Sequence, residues 1–375
     1  MTSAALQATL ADVTGTRAQD WHLVFKARYG MLAVFEASAA VRPDRRSVVT
    51  QLLTCSTAVD PILVAGLTPV YGEVSPRTFS LDPVLLRVPD APGAVVIQHT
   101  FGLVDQASSR LLAAAAREAG AVVVEDSAHC VTRMARGADG TPLADISVHS
   151  FGVEKMLPTK FGGAIWVNPA MTDTALRDAM TTALTALSGP GLRLGLAARS
   201  YRWTRAVVGR APGGASVGRA LEKTKLYSPA VSKTEQEGRL AHGAHGVTDW
   251  IAREAAQALA ELPAIEARRL AATDAYAAAL GVDLAGQPLV RFPVLVPPGI
   301  DAGAVVKALR ERDIYAGAWY RPALFPGVAN PSAYAYVPGT LPVTEDLIAR
   351  IVNLPTDVSA ERADEIAAAY LELSR

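Results

Sequence analysis

The chain has 375 residues, half of them hydrophobic and 19% charged, with 36 basic and 36 acidic side chains. That length suits a large domain joined to a smaller one. The zero net charge argues against nucleic acid or an anionic membrane as a partner, since either needs surplus positive charge on one face. Cys55 and Cys130 stand in no C-x-x-C pair, so neither a disulfide framework nor a zinc ribbon is readable. Met1 to Asp20 lacks the basic and apolar regions of a signal peptide, and no uncharged run of 18 apolar residues occurs. The expectation is a reduced, cytoplasmic protein with no membrane span. Its hydropathy is generous enough to favour burial of some surface in an oligomer.

In chain order, short apolar runs alternate with helical patterns. Ser47–Leu53 is β-branched and predicts a buried strand, followed by a helix over Asp60–Gly66 that closes on its glycine. Thr68–Tyr71 and Ala94–Gln98 predict two more strands. Leu111–Gly120 is alanine-rich, with Gly120 at the helix C-cap position. Ala121–Val124, Ile146–Phe151 and Ala164–Val167 complete the strand set. Strands separated by helices predict an α/β fold with a mixed, mostly parallel sheet covered by helices. Met171–Gly246 is less patterned and carries basic clusters at Arg193–Arg210 and Lys223–Lys225. A long helix is expected over Thr248–Ala279, and the domain change is placed inside it: residues 1–250 form the large domain and 251–375 a smaller α+β domain. In the latter, Val290–Val296 and Ile314–Tyr320 predict strands, and Ala302–Arg312 and Ala360–Leu373 predict helices.

In such sheets ligands bind beyond the carboxyl ends of the strands. Asp126, in E-D-S-A-H (Glu125–His129), follows one strand, and alone it reads as a capping aspartate. Twenty-nine residues on, H-S-F-G-V-E-K (His149–Lys155) follows the next strand and is closed by Gly162–Gly163. Alone, Lys155 reads as an exposed loop lysine. Together the two stretches put carboxylate, hydroxyl and lysine on successive strand ends. A pyridoxal-phosphate site needs those groups: a lysine for the aldehyde carbon, a carboxylate to keep the pyridine nitrogen protonated, and donors such as the Ser150 hydroxyl for the phosphate.

On these motifs the chain resembles the DegT/DnrJ/StrS family of pyridoxal-phosphate-dependent sugar aminotransferases, which have the type I aspartate-aminotransferase fold. Glu125, Asp126, Ala128 and His129 match its first motif. Asp145, Ile146, Ser150, Phe151, Lys155, Gly162 and Gly163 match its second at the expected spacing. Thr68–Tyr71, Thr78–Asp82, Gln98–Gly102, Ala318–Pro322 and Asn353–Thr356 are supportive. The resemblance implies that Lys155 is the Schiff-base lysine, that Asp126 pairs with the pyridinium nitrogen, and that His129 lies beside the ring or its 3-hydroxyl. It further implies that Ser150 and the Ala27–Arg28 amides hold the phosphate, with Thr57 near the substrate-facing loop.

Three departures stand out. Cys55 replaces a ring-stacking aromatic, and Lys160–Phe161 replaces a Gly-Glu pair. Gly243–Thr248 replaces a stretch whose asparagine reaches the partner subunit's phosphate, with His245 as its substitute. The implied activity moves an amino group from glutamate or glutamine to a keto sugar, often nucleotide-linked, or to a cyclitol ketone, in a homodimer. The alternatives are another reaction on the same cofactor, such as dehydration, and a non-catalytic cofactor-binding or regulatory subunit. Family dehydratases carry histidine at the lysine position, and this chain keeps Lys155. No metal motif is present. Gly189–Gly195 fails as a dinucleotide fingerprint because its last glycine is one residue late and it follows a helical pattern. Trp319–Tyr320 reads equally as core or site.

Overall fold

The computed structural model describes residues 3–210 and 214–375; the side chain of Arg210, last of the basic cluster, is outside the described set. Seven strands form the main sheet: β1 (Trp21–Val24), β2 (Ser47–Gln51), β3 (Thr68–Gly72), β4 (Ala94–Gln98), β5 (Val122–Asp126), β6 (Ile146–Ser150) and β7 (Gly163–Val167). Their order is β1-β7-β6-β5-β4-β2-β3. All neighbouring pairs are parallel except those of β7, which runs antiparallel to both β6 and β1.

Strands β4 to β7 are buried along their whole length, which explains the apolar runs of β4, β5 and β7. Alternate residues serve opposite faces. Val95, Ile97 and Val123 pack with Leu112, Ala113 and Ala116 of α4 (Gln106–Glu118). Val96, Val122 and Val124 join the other layer with Val34 and Phe35 of α2 (Ala27–Val41) and Leu176 and Met180 of α5 (Thr174–Thr185). The punctuation follows local chemistry. The Asp105 side chain caps α4 by accepting the Ser108 N–H at 2.6 Å, and Gly120 beyond its end has φ 67°. Helix α3 (Ser56–Val64) is likewise followed by Gly66 at φ 72°.

The helix expected over Thr248–Ala279 is two helices, α8 (Asp249–Ala260) and α9 (Leu262–Leu280). Pro263 in the first turn of α9 lacks an N–H and crowds the preceding turn, so the chain breaks there. Helix α8 packs on α1 (Ser3–Thr14), and α9 on α12 (Ala360–Leu373). Strands β8 (Arg291–Leu295) and β9 (Ile351–Pro355) make a separate antiparallel pair, covered by α10 (Ala302–Glu311), with α11 (Pro342–Arg350) leading into β9. The strand expected over Ile314–Tyr320 does not form. Gly317 alone bridges Asn353, and the Asn353 side chain then takes the Trp319 N–H, which ends the ladder. Helices α6 (Leu192–Arg210) and α7 (Gly214–Lys223) fill the segment that carries little pattern. No helix among the described residues is long and apolar enough to cross a membrane.

The close approach of β7 to α2 sets the position of the helix start. A Cβ on Gly163 would lie 2.8 Å from the His149 carbonyl oxygen and 2.9 Å from the Ala27 nitrogen, both backbone atoms that cannot swing aside. Gly163→Ala is therefore expected to destabilise the protein by about 1–3 kcal/mol, the usual cost of overpacking. Urea unfolding should show a lower midpoint at unchanged slope, and an unchanged midpoint would mean that β7 and α2 can part freely.

Candidate active site

The carboxyl ends of β4, β5 and β6 lie side by side, with Gln98 opposite Asp126 and Asp126 opposite Val148. The cleft beyond them is lined by Gln98, His99, Asp126, His129, Ser150 and Lys155. The start of α2 closes one end with Lys26, Ala27 and Arg28. The loop after β2 supplies Cys55 and the first turn of α3 supplies Thr57, and Tyr320 enters from the C-terminal region. Of the nine residues singled out from sequence, eight (Ala27, Arg28, Cys55, Thr57, Asp126, His129, Ser150 and Lys155) thus line one cleft. His245 does not. Its carbonyl accepts the Phe25 N–H at 2.9 Å and its ring meets Tyr29 edge-on at 6.3 Å, so Gly243–Thr248 lies against β1 and α2 of its own chain.

Asp126 is the last residue of β5 and is buried. One carboxylate oxygen accepts the Ala128 N–H at 3.0 Å. Burial raises its pKa, while Ala128, Lys155 and His99 pull the other way. A carboxylate so placed is short of a cation.

Glu125, one residue earlier, is fully committed. It meets His99 Nε2 at 2.8 Å, accepts the Ser147 hydroxyl at 2.5 Å and accepts the Ala135 N–H. Burial opposes its charge, but these donors outweigh burial and hold its pKa below the ordinary value. Ser147 also meets His149 Nε2 at 3.0 Å, so the chain of contacts runs beneath the cleft floor.

His129 accepts the Phe101 N–H on Nδ1 at 3.0 Å. Its proton in the neutral ring is therefore on Nε2, which donates to the Tyr320 hydroxyl at 2.9 Å. Burial, with Lys155 and Arg291 nearby, pushes its pKa well below the ordinary value. Trp319 stacks on this ring at 5.3 Å and 10°. The aromatic surface missing at Cys55 is thus present close by, on residues whose sequence pattern did not separate site from core. Cys55 itself accepts the Thr57 hydroxyl at 3.0 Å.

Lys155 sits in the loop after β6, where Glu154 turns the chain at φ 59°. Its amine makes no hydrogen bond to a described residue and lies 5.5 Å from the Trp319 ring centre. Burial above all lowers its pKa; Cys55 and Asp126 oppose that, and Arg28 adds to it. An amine whose charged form is disfavoured by burial, facing a cleft, is suited to act as a nucleophile.

At the α2 end, the helix presents its first N–H groups and its positive dipole end. Ser150 stands nearby, its hydroxyl oxygen accepting the Gly152 N–H at 3.2 Å. Lys26, which the motifs do not flag, donates to Ser228 Oγ at 2.9 Å and to the Pro229 carbonyl at 3.2 Å. Burial lowers its pKa to about 8 despite Glu235. The Arg28 side chain turns to Glu235 at 2.5 Å and to the Ala230 carbonyl at 2.9 Å. These partners come from Ser228–Glu235, and no local spacing near residue 26 announces them.

The cleft is therefore cationic at one end and carries an uncompensated carboxylate on its floor, with a free amine between. That polarity fits a group with a phosphate at one end, a protonatable ring nitrogen and an aldehyde carbon, as pyridoxal phosphate has. The residues fit the cofactor that the sequence resemblance implies.

The seven-stranded order with β7 reversed, and the carboxylate and lysine at the strand ends, define a type I pyridoxal-phosphate transferase fold. Residues 27–193 match the model of the DegT/DnrJ/EryC1/StrS aminotransferase family. The chain is similar to the spore coat polysaccharide biosynthesis protein SpsC of Bacillus subtilis, 32% identical over 120 residues, which are 32% of this chain and 30% of that one. It is 31% identical over 123 residues to GDP-perosamine synthase of Caulobacter vibrioides, covering 32% of this chain and 33% of that one. The chain thus spans about a third of the length of these curated relatives. Among solved structures, Helicobacter pylori PseC, an aminotransferase involved in pseudoaminic acid biosynthesis, superposes with a TM-score of 0.70 at 16% identity, over 99% of this chain and 91% of that one.

The His129 and His149 rings should both be neutral and protonated on Nε2 at pH 5, since His149 is pushed down to about 4 by burial against the pull of Glu125, and its Nδ1 accepts the Thr132 N–H. Nitrogen-15 spectra of histidine-labelled protein check this. A His129 signal titrating near 6.5 would show the ring to be solvated.

Proposed function

We propose that this chain is a pyridoxal-phosphate-dependent aminotransferase that passes an amino group from an amino acid, glutamate or glutamine, to a keto sugar carried on a nucleotide, or to a cyclitol ketone. The observation that carries the reading is the Lys155 amine, without a hydrogen bond among the described residues, near the buried Asp126 carboxylate at adjacent strand ends. The family match and the similarity to GDP-perosamine synthase support the substrate class.

When bound, pyridoxal phosphate supplies an aldehyde that takes the amino group and a ring that accepts the electron pair left behind when the α-proton departs. Asp126 keeps a proton on the ring nitrogen and gains the cation that it lacks. Ser150, the first turn of α2 and Lys26 hold the phosphate. Lys155 Nζ, shifted toward its neutral form by burial, would be the base that takes the proton from the donor's α-carbon. Neutral His129, braced by Phe101 and Tyr320, limits the ring's movement without adding a charge.

The working unit in this reading is a cytoplasmic homodimer, with Gly243–Thr248 passing toward the neighbour's cofactor and residues 251–375 forming the smaller domain. Both ring nitrogens of buried His242 and the Nδ1 of His245 lack hydrogen-bond partners among the described residues, as expected of groups completed by a second copy.

Borohydride treatment of the cofactor-loaded protein should fix the cofactor to the peptide containing Lys155, and Lys155→Ala should remove both the attachment and the yellow colour. Attachment at Lys160 instead would sink the assignment. Asp126→Asn should retain cofactor but lose several kcal/mol of transition-state stabilisation, about a hundredfold or more in turnover, because an amide cannot hold the ring proton. Near-normal turnover would make Asp126 structural. A fully active monomer by light scattering at assay concentration would refute the dimer.

A further inference from the structure

A second recess shares Lys155 with the main cleft, has Glu154 beside it, and is walled on its far side by Arg269, Arg291 and Tyr315. Its arginines are not equivalent. Arg269 is spent on structure, donating to the Val290 carbonyl at 3.1 Å and to Thr356 Oγ1 at 2.7 Å. Arg362 is paired with Glu365 at 2.6 Å. Arg291 makes no hydrogen bond to any described residue, and the carboxylate it faces, that of Glu154, is 3.8 Å away. Its side chain is nonetheless only 13% exposed. The guanidinium lies 5.0 Å from the Tyr315 ring centre and 5.5 Å from that of Trp319, so aromatic contact rather than hydrogen bonding holds it. A largely buried cation with five donors and no acceptor is costly unless a ligand supplies one.

The position narrows the ligand. Trp319 lies under both cations, with Lys155 Nζ also 5.5 Å from its ring, so one small molecule can reach Arg291 and Lys155 together. Three acidic side chains, Glu154, Asp313 and Asp357, share the recess. They balance most of the positive charge, which suits a carboxylate and disfavours a doubly charged phosphate. The planar guanidinium fork matches two carboxylate oxygens. Glu154 has a second arginine, Arg205, at 4.0 Å, and can therefore give up Arg291 without losing every cation.

We propose that Arg291 binds a carboxylate group of the amino donor and holds the donor against Lys155. The proposal rests on the aminotransferase reading above and names the residue that recognises the donor. It takes two measurements on cofactor-loaded protein: calorimetric titration with glutarate, an unreactive dicarboxylate, and the spectral conversion of bound cofactor by glutamate. Arg291→Gln should weaken glutarate binding about tenfold to a hundredfold, the loss expected for a charge-assisted hydrogen bond, and should raise the half-saturating glutamate concentration by a similar factor. Cofactor content and borohydride attachment at Lys155 should stay as in the wild type. Arg291→Lys, which keeps the charge but not the fork, should fall between, and Glu154→Gln should tighten glutarate binding. If Arg291→Gln folds poorly, the last two variants carry the test. Glutarate affinity unchanged in all variants, or absent from the wild type, overturns the proposal. A wild type that binds glutarate but converts no cofactor with any amino acid overturns the aminotransferase reading and leaves the carboxylate site standing.

Discussion

The Glu125 carboxylate holds the mouth of the sheet together. It reaches His99 beyond β4, Ser147 within β6 and the Ala135 amide in the following loop, all from the penultimate residue of β5. An ionised carboxylate in such a place survives only because every contact is a donor, and removing one would leave the charge exposed to an apolar surround. The three strand ends that carry the cleft are thereby tied to one point. The alignment of Gln98, Asp126 and Val148 that the register shows is the visible result. Asp126 can then stand without a counter-ion, because its neighbour has used the local donors.

A second constraint governs the other end. The glycine pair Gly162–Gly163 lets β7 run against the start of α2, which brings the Ala27–Arg28 turn to the cleft. Together the two devices set the distance between an anion-binding end and a proton-holding end. The chemistry assigned to Lys155 depends on that span more than on any property of the lysine itself.

Much of this was legible in the sequence, for identifiable reasons. Strands β2, β4, β5 and β7 announce themselves because burial on both faces demands apolar, β-branched runs. Asp126, Ser150 and Lys155 are legible because two short motifs carry them. Strand β1 is only four residues, with a histidine inside it, and β9 begins directly at the end of α11, so neither shows a run of its own. Ile314–Tyr320 has strand composition, yet the Asn353 side chain captures the Trp319 amide and stops the pairing. Lys26, the Trp319–Tyr320 pair, and Arg291 in the adjoining recess come to the site from three separate places in the chain. Their partners are long-range, and no spacing rule records them.

The Arg28–Glu235 ion pair joins residues 207 positions apart. The cationic end of the cleft is therefore written near the start of the chain, but its counter-charge is made only after nearly two thirds of it. Until then Lys26 and Arg28 repel each other at the start of a helix whose dipole disfavours both. During synthesis the sheet can close before this corner settles, so a part of the site encoded first orders only after residues far along the chain have been made.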